Sequence, residues 1–186
     1  MPNNPATYDS IYMDSAKYGC HYTESIYYPV WEEAVKHIEG RVLELGCGTG
    51  QFAQMISDTV LEPMYLGVDY SKEAIRQSKE RNPEMNFLCA DVFKTIIPIA
   101  DTIVALELIE HIKDDLGLIR LFPKDKKIVF SVPNFEAANH YRCFKNKKEI
   151  RDRFTRIDIK LIKEFKLIKN KFGDANTIFL CIGRKK

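Results

Sequence analysis

The sequence lacks the features that mark secreted, membrane-spanning or zinc-finger proteins. No apolar run approaches the roughly 20 residues that cross a bilayer, and residues 1–5 lack the charged-then-apolar pattern of a signal peptide. The five cysteines are scattered and form no C-x-x-C pair, which argues against a zinc or redox motif: Cys20, Cys47, Cys89, Cys143 and Cys181. These absences predict a cytoplasmic protein with reduced thiols and no membrane partner.

Net charge is also small, at +2 from 28 Lys+Arg and 26 Asp+Glu, but it is unevenly distributed. Residues 142–186 hold 15 basic and 5 acidic residues, a net charge of +10, which leaves −8 for residues 1–141. Such a segment can bind nucleic acid or another anion. Lysines that alternate with apolar residues are also typical of the solvent-facing side of ordinary elements, and we favour that interpretation.

With 186 residues, of which 45% are hydrophobic, the chain fits one domain over residues 1–186. From residue 41 onward, short aliphatic runs alternate with helical patterns, which predicts an α/β fold with a parallel sheet. A helix is expected after the N-cap Ser71 up to Asn82, and another from Glu107 to about Leu121. The strands are predicted at Val42–Leu45, Tyr65–Asp69, Asn86–Ala90, Thr102–Leu106, Lys127–Val132 and Thr177–Ile182, with a weaker one at Phe165–Ile168.

Residues 1–40 are rich in aromatic side chains and precede the first strand. We expect two helices here, forming a cap or lid on a catalytic core of residues 41–186. Most of the rings are expected to pack a helix against that core.

A glycine-rich turn follows the first predicted strand, with Glu44 before it and Gly46, Gly48 and Gly50 within it. Glycines at such a turn let a ligand approach the backbone, and the following helix offers its N–H groups. Dinucleotide-binding proteins use similar turns, so the motif alone does not identify the ligand. Asp69 ends the next strand, where it can accept both ribose hydroxyls, and Asp91 follows the third strand, where it suits an adenine amine.

The stretches Val42–Gly50, Gly67–Ser71 and Ala90–Val92 carry these residues. In order and spacing they resemble the successive motifs of class I S-adenosylmethionine (SAM)-dependent methyltransferases. The resemblance implies a Rossmann-like, doubly wound seven-stranded sheet whose last strand is antiparallel, with SAM across the strand ends and S-adenosylhomocysteine (SAH) as product. It also implies a cofactor-binding set that contacts the methionine, ribose and adenine parts: Glu44, Gly46, Cys47, Gly48, Asp69, Tyr70, Asp91, Val92 and Glu107.

Glu107, Glu110 and His111 follow the fourth strand at spacings that place them on one face of the predicted helix. His140 comes after the fifth strand. These residues are expected at the reacting centre, with His111, Glu110 and His140 as catalytic candidates. His111 can act as a general base on a hydroxyl acceptor. Alternatively, Glu107, Glu110, His111 and His140 can hold a divalent ion such as Mn, Mg or Zn.

The Glu-x-x-Glu-His pattern with a later histidine is similar to the metal site of small-RNA 3′-terminal 2′-O-methyltransferases, and Glu-His here is similar to ubiquinone-biosynthesis O-methyltransferases. In a further alternative, Glu107 contacts SAM while Glu110 and His111 shape the pocket. The chain has no Asn-Pro-Pro-Tyr-type motif after the fourth strand, which shifts the expectation from amino groups to oxygen.

We therefore expect O-methylation of a small, anionic molecule bearing a phosphate or carboxylate. The basic residues Arg142, Lys145, Lys147 and Lys148 are candidates to attract that anion. The alternatives are methylation of a terminal ribose of RNA, N-methylation of a small molecule and, least favoured, a SAM-binding sensor without catalysis.

Overall fold

The computed structural model describes residues 4–14, 16–61, 63–96, 98–169 and 175–186. The helices are α1 (Pro5–Asp14), α2 (Ala16–Gly19), α3 (Tyr28–Val35), α4 (Gln51–Thr59), α5 (Lys72–Arg81), α6 (Asp115–Leu121) and α7 (Lys147–Arg153), with 3₁₀ turns at Tyr22–Glu24 and Ile109–His111. The strands are β1 (Val42–Leu45), β2 (Tyr65–Asp69), β3 (Asn86–Cys89), β4 (Thr102–Ala105), β5 (Lys127–Pro133), β6 (Ile157–Lys169) and β7 (Ala175–Lys185).

The seven strands form one sheet in the order β3-β2-β1-β4-β5-β7-β6. The first five are parallel, whereas β7 runs antiparallel to both β5 and β6. The predicted seven-stranded α/β sheet with an antiparallel last strand is confirmed. Strand order reverses between β1 and β4, so a crevice for a ligand opens at their carboxyl ends.

The two faces of the sheet are covered by separate apolar clusters. Leu43 and Phe130 face a cluster that includes Leu118 of α6 and Ile150 of α7. Val42 and Val129, on the opposite face, pack in a cluster with Phe52 of α4. Strands β1 and β4 are buried at every residue, as expected for parallel strands covered on both faces.

The predicted helix from Glu107 to Leu121 is wrong in its first half. Glu107 has a positive φ of 51°, which no α-helix accommodates. A 3₁₀ turn follows, and a new helix begins only after Asp114, whose side chain accepts a hydrogen bond from the Gly117 N–H at 2.9 Å. Glu107, Glu110 and His111 therefore do not share a helical face.

The sixth strand is longer than predicted. It spans 13 residues, not the four at Phe165–Ile168, and forms a hairpin with β7. Exposed Lys160, Lys163 and Lys166 weaken the strand signal, because lysine is depleted in strands generally. On an edge strand, however, lysines suit the surface because they discourage pairing with another chain.

In the N-terminal segment, the described residues 4–14 and 16–40 form three α-helices and a 3₁₀ turn, not the two helices expected. Asp9 of α1 ties this cap to the start of α5, since its carboxylate accepts hydrogen bonds from Ser71 Oγ at 2.5 Å and the Glu73 N–H at 3.1 Å. Arg81 of α5 donates to the carbonyls of Tyr18, Gly19 and Cys20 at 2.8–3.2 Å. Within the described ranges, no helix is long and apolar enough to cross a membrane.

Candidate active site

A cavity of about 530 Å³ opens at the carboxyl ends of the parallel strands, beneath the cap. This size lies within the usual range of small-molecule sites. Of the sequence-predicted site residues, all but Glu110 line the cavity: Glu44, Gly46, Cys47, Gly48, Asp69, Tyr70, Asp91, Val92, Glu107, His111 and His140.

The glycine turn is built from left-handed backbone conformations. Gly46, Gly48 and Gly50 have φ values of 72°, 52° and 77°, which favour glycine. A Cβ on Gly48 would lie 3.3 Å from the hydroxyl of Tyr12 in α1, so the cap packs directly on this turn.

Asp69 organises the turn as well as lining the cavity. Its two carboxylate oxygens accept hydrogen bonds from the Gly48 N–H at 3.0 Å and the Ser71 N–H at 2.9 Å. Burial raises the pKa of Asp69 to about 6, against the effect of these backbone N–H groups. Each oxygen keeps a second lone pair, so hydrogen bonds to ribose hydroxyls are compatible with those already made.

Glu44 and Asp91 lie at two further strand ends. Glu44 is 3% exposed and accepts a hydrogen bond from the Tyr65 hydroxyl. Its burial raises its pKa to about 8. Asp91 is less buried and accepts a hydrogen bond from the Phe93 N–H at 2.9 Å, which fixes the loop after β3.

Glu107 stands at the end of β4 with its backbone in the left-handed region. Its N–H donates to Ser131 Oγ at 2.7 Å, and the same hydroxyl donates to Glu107 Oε1 at 2.7 Å. Burial raises the pKa of Glu107 to about 7. Because a non-glycine residue with positive φ costs conformational energy, this closed pair of hydrogen bonds holds Glu107 in a strained position facing the cavity.

Glu110 is fully buried behind the cavity wall. Neither of its carboxylate oxygens has a hydrogen-bond partner among the residues that the structure describes. Burial raises its pKa well above the ordinary value, and the Glu107 charge adds to that shift. His111 Nε2 lies 3.9 Å from Oε1, beyond hydrogen-bond distance. A buried carboxylate without a hydrogen bond is costly, so Glu110 needs either a proton or a cation.

His111 and His140 meet edge to face with ring centroids 4.8 Å apart. His111 Nδ1 lies 3.0 Å from the Asn139 carbonyl, and His140 Nδ1 lies 3.1 Å from the Phe135 carbonyl. In both rings a protonated Nδ1 can therefore donate a hydrogen bond to a carbonyl, which leaves Nε2 as the basic nitrogen. Burial lowers both pKa values, that of His111 to about 4, so both rings are neutral at pH 7.

Glu110, His111 and His140 offer ligand atoms that all lie within 4.8 Å of one another. Glu107, the fourth predicted metal ligand, is outside this group and is engaged by Ser131 instead. The tertiary structure thus brings together three of the four residues.

Arg142 has a different role from the one expected. Its guanidinium donates to the carbonyls of Ile109, Ile112 and Lys113 at 2.5–3.1 Å, and it lies 3.3 Å from Asp115. It therefore holds the turn that carries Glu110 and His111, and its donors do not face the cavity. Lys147 and Lys148 pair with Glu164 and Asp152, respectively.

Sequence reasoning missed several residues that line the cavity from the cap. Tyr8 and Tyr12 stand one helical turn apart on α1, and the Tyr8 ring lies 6.0 Å from the His111 ring. Lys17 of α2 also lines the cavity. The i, i+4 spacing of the tyrosines was a readable signal, whereas nothing in the sequence separated Lys17 from surface lysines.

Known proteins that are similar to this chain include methyltransferases. A family model described as a methyltransferase domain matches residues 42–120. Trans-aconitate 2-methyltransferase of Rhodopseudomonas palustris strain BisA53 is 31% identical over 64 residues, which are 34% of this chain and 25% of that enzyme. The matched part of the chain thus spans about a quarter of the length of this curated relative.

Solved structures share the fold across nearly the whole chain. N-methyltransferase NodS from Bradyrhizobium japonicum WM9, in complex with SAH, aligns with a TM-score of 0.73 and 12% identity, covering 98% of this chain and 99% of that one. A SAM-dependent methyltransferase from Mesorhizobium loti aligns with a TM-score of 0.67 and 16% identity, covering 88% and 100%. The chain therefore shares the fold of these methyltransferases, and its residues 42–120 resemble a methyltransferase domain.

Proposed function

We propose that this protein transfers the methyl group of SAM to an oxygen atom of a small, carboxylate- or phosphate-bearing molecule. The observation that carries the proposal is the capped cavity, which is lined by the glycine turn, Asp69 and Glu107 of the proposed donor site and also by His111 and His140. Glu44, Gly46, Cys47, Gly48, Asp69, Tyr70, Asp91, Val92 and Glu107 form the donor site in this proposal.

Charge and geometry support a small acceptor over RNA. Basic residues of the final quarter are largely engaged, since Lys160 pairs with Asp158, Lys163 with Glu33 and Arg184 with Glu39. Cap residues such as Tyr8 and Tyr12 line the cavity, whose volume of about 530 Å³ suits a compact molecule. Lys113, which lines the cavity next to His111, offers a positive charge for an anionic acceptor.

A carboxylate acceptor is consistent with neutral histidines, because it does not depend on either ring to remove a proton. Its oxygen is already deprotonated and nucleophilic, so transfer needs alignment with the sulfonium and no general base. The matched relative is named for trans-aconitate, a carboxylic acid, which makes small polycarboxylates the first acceptors to test. A hydroxyl acceptor would instead require His111 to take a proton.

The direct test is incubation with SAM and a panel of acceptors, with SAH release as readout. The panel contains trans-aconitate, other di- and tricarboxylates, sugar phosphates, amines and a short RNA with a free 3′ end. Turnover with a carboxylate or phosphate compound supports the proposal. Turnover with amines or RNA alone contradicts it, and RNA activity would also fall steeply with salt because binding releases counterions.

A divalent ion at Glu110, His111 and His140 is a second element of the proposal. Metal-ligating histidines usually donate their other ring N–H to a carbonyl or carboxylate, as the Nδ1 contacts of both histidines allow. The unpartnered Glu110 carboxylate supplies the compensating negative charge. These donors fit Mn or Zn better than Mg, and a bound ion would lower the pKa of a coordinated hydroxyl.

A further inference from the structure

The hydroxyl of Tyr8 connects the cap to the loop that follows β5. Tyr8 lies on α1 and lines the cavity, and its Oη accepts a hydrogen bond from Asn139 Nδ2 at 3.2 Å. The two residues are 131 positions apart in the sequence, so only the tertiary structure brings them together. Burial raises the pKa of Tyr8 to about 12, so the hydroxyl is neutral at pH 7 and accepts this hydrogen bond while it keeps its own proton.

Asn139 also contacts His111. Its backbone carbonyl lies 3.0 Å from His111 Nδ1. A neutral imidazole donates from only one of its two nitrogens. The carbonyl therefore favours the tautomer with the proton on Nδ1 and the lone pair on Nε2. Asn139 thus joins Tyr8 to His111, through its side-chain amide on one side and its carbonyl on the other.

Two aromatic contacts define the plane of the His111 ring. The Tyr8 ring meets it edge to face, with centroids 6.0 Å apart and an angle of 87° between the planes. The His140 ring meets it at 4.8 Å and 79°. These contacts limit rotation of the imidazole, whereas the Asn139 carbonyl decides which nitrogen holds the proton. The ring and the hydroxyl of Tyr8 therefore act on His111 in separate ways.

Helix α1 is anchored to α5 by contacts that do not involve Tyr8. The Asp9 carboxylate accepts a hydrogen bond from Ser71 Oγ at 2.5 Å, and Gln77 Nε2 donates to the Tyr12 carbonyl at 3.2 Å. Tyr8 thus projects from a helix that is held on both sides of it in the sequence. Its hydroxyl is a fixed point against which the loop after β5 can be held.

We propose that Tyr8 is a positioning residue for methyl transfer, whose hydroxyl holds Asn139 so that the Asn139 carbonyl sets the tautomer of His111 and presents Nε2 to the cavity. The inference rests on the proposed function, which places His111 beside the acceptor. Tyr8 acts through its neighbours and needs no contact with the donor or the acceptor. One hydrogen bond thereby links docking of the cap to the arrangement of the histidine.

The test compares Tyr8→Phe, which keeps the ring, with Asn139→Ala, which keeps the carbonyl. Nitrogen NMR of the histidine rings, recorded on metal-free protein at one pH, reports the tautomer, and the chain has only four histidines. Wild-type His111 should hold its proton on Nδ1, whereas each variant should show a mixture of the two tautomers. Tyr28→Phe, which removes a hydroxyl that donates to Glu32 outside the cavity lining, is the matched control and should keep the wild-type tautomer.

Turnover with an acceptor found in the screen gives a second readout. Each variant should lower kcat about fivefold, the factor expected for one net hydrogen bond, and leave SAH binding within about twofold. Because Tyr8 and Asn139 act through the same contact, the double variant should be no slower than the slower single variant.

An unchanged His111 tautomer in both variants would overturn the proposal. A raised acceptor KM with that unchanged tautomer would assign the Tyr8 hydroxyl to direct contact with the acceptor, which also contradicts a positioning role. Losses that multiply in the double variant would show that the two residues act separately. If the wild-type protein methylates no acceptor, the proposed function fails, whereas the tautomer comparison still decides whether Tyr8 sets His111.

Discussion

The two ends of the cavity differ in how well their polar groups are satisfied. At the donor end, Asp69 and Asp91 accept hydrogen bonds from backbone N–H groups of the loops that they hold. At the acceptor end, the buried Glu110 carboxylate has no hydrogen-bond partner among the described residues. These two donor-end carboxylates are therefore hydrogen-bonded within the protein. At the acceptor end, the Glu110 carboxylate needs a proton, a cation or a ligand to satisfy it.

The largest expected effect tests the donor end. Asp69→Ala removes the carboxylate proposed to accept two ribose hydrogen bonds and should weaken SAH binding by at least about 100-fold, since each bond to a charged group contributes at least roughly 1.5 kcal/mol. Calorimetry with SAH measures it. Asp152→Ala, which removes an exposed acid of α7 that pairs with Lys148, should bind SAH normally. An unchanged dissociation constant in Asp69→Ala would refute the ribose assignment.

The next prediction compares two buried acids. Glu110→Gln removes a carboxylate that has no hydrogen-bond partner among the described residues, so it should keep or raise the melting temperature while weakening Mn²⁺ or Zn²⁺ binding at least about tenfold. Asp115→Asn weakens the ion pairs with Arg142 and Arg153 and should destabilise the fold by about 3 kcal/mol.

Thermal melts and metal titration of the two variants decide the outcome. Metal binding that survives Glu110→Gln would show that the ion, if any, binds elsewhere. Full activity of wild-type enzyme after rigorous chelation would exclude a metal role and leave His111 as a metal-free base.

A pair of arginines allows a matched test of the two ends. Arg81 holds the cap through three carbonyls, and Arg142 holds the 109–113 turn through three others. Arg81→Met should weaken SAH binding by about tenfold, the loss expected for roughly one net hydrogen bond. Arg142→Met should leave SAH binding within about twofold and reduce turnover instead.

Hydrogen exchange measures whether each substitution loosens the segment that the arginine holds. Amides of residues 16–24 are expected to exchange faster in Arg81→Met, and those of residues 108–113 faster in Arg142→Met. If both variants weaken SAH binding equally, the division of the cavity into two ends is wrong.

The smallest expected effect is on pH dependence. Burial raises the pKa of Glu44 from its ordinary value of 4.5 to about 8. The folded protein therefore binds a proton that the unfolded chain has released, so the stability from this group is present below about pH 4.5 and is lost as pH rises towards 8. Unfolding titrations of the ligand-free protein should show this decline, and Glu44→Gln should flatten it. An equal slope in the variant would contradict the raised pKa.

The sequence alone was sufficient to predict the strands that carry the proposed donor site. Their aliphatic runs and the spacing of Glu44, Asp69 and Asp91 follow from local rules, because each residue is positioned by the strand that ends beside it. The N-cap at Ser71 was predictable for the same reason, and its side chain accepts the Ala74 N–H at 3.1 Å. The long, lysine-rich β6 was mostly missed, because its pairing with β7 outweighs a weak local propensity.

The acceptor end was decided by tertiary structure. The sequence placed Glu107, Glu110 and His111 on one helix, but Ser131 from the neighbouring strand holds Glu107 in a left-handed conformation and ends that pattern. Arg142 then folds the following turn so that Glu110 is buried and His111 meets His140. Lys17 reaches the cavity only because the cap docks on α4 and α5. Local spacing fixed the proposed donor residues other than Glu107, whereas contacts between distant segments placed Glu107 and the groups expected to face the acceptor.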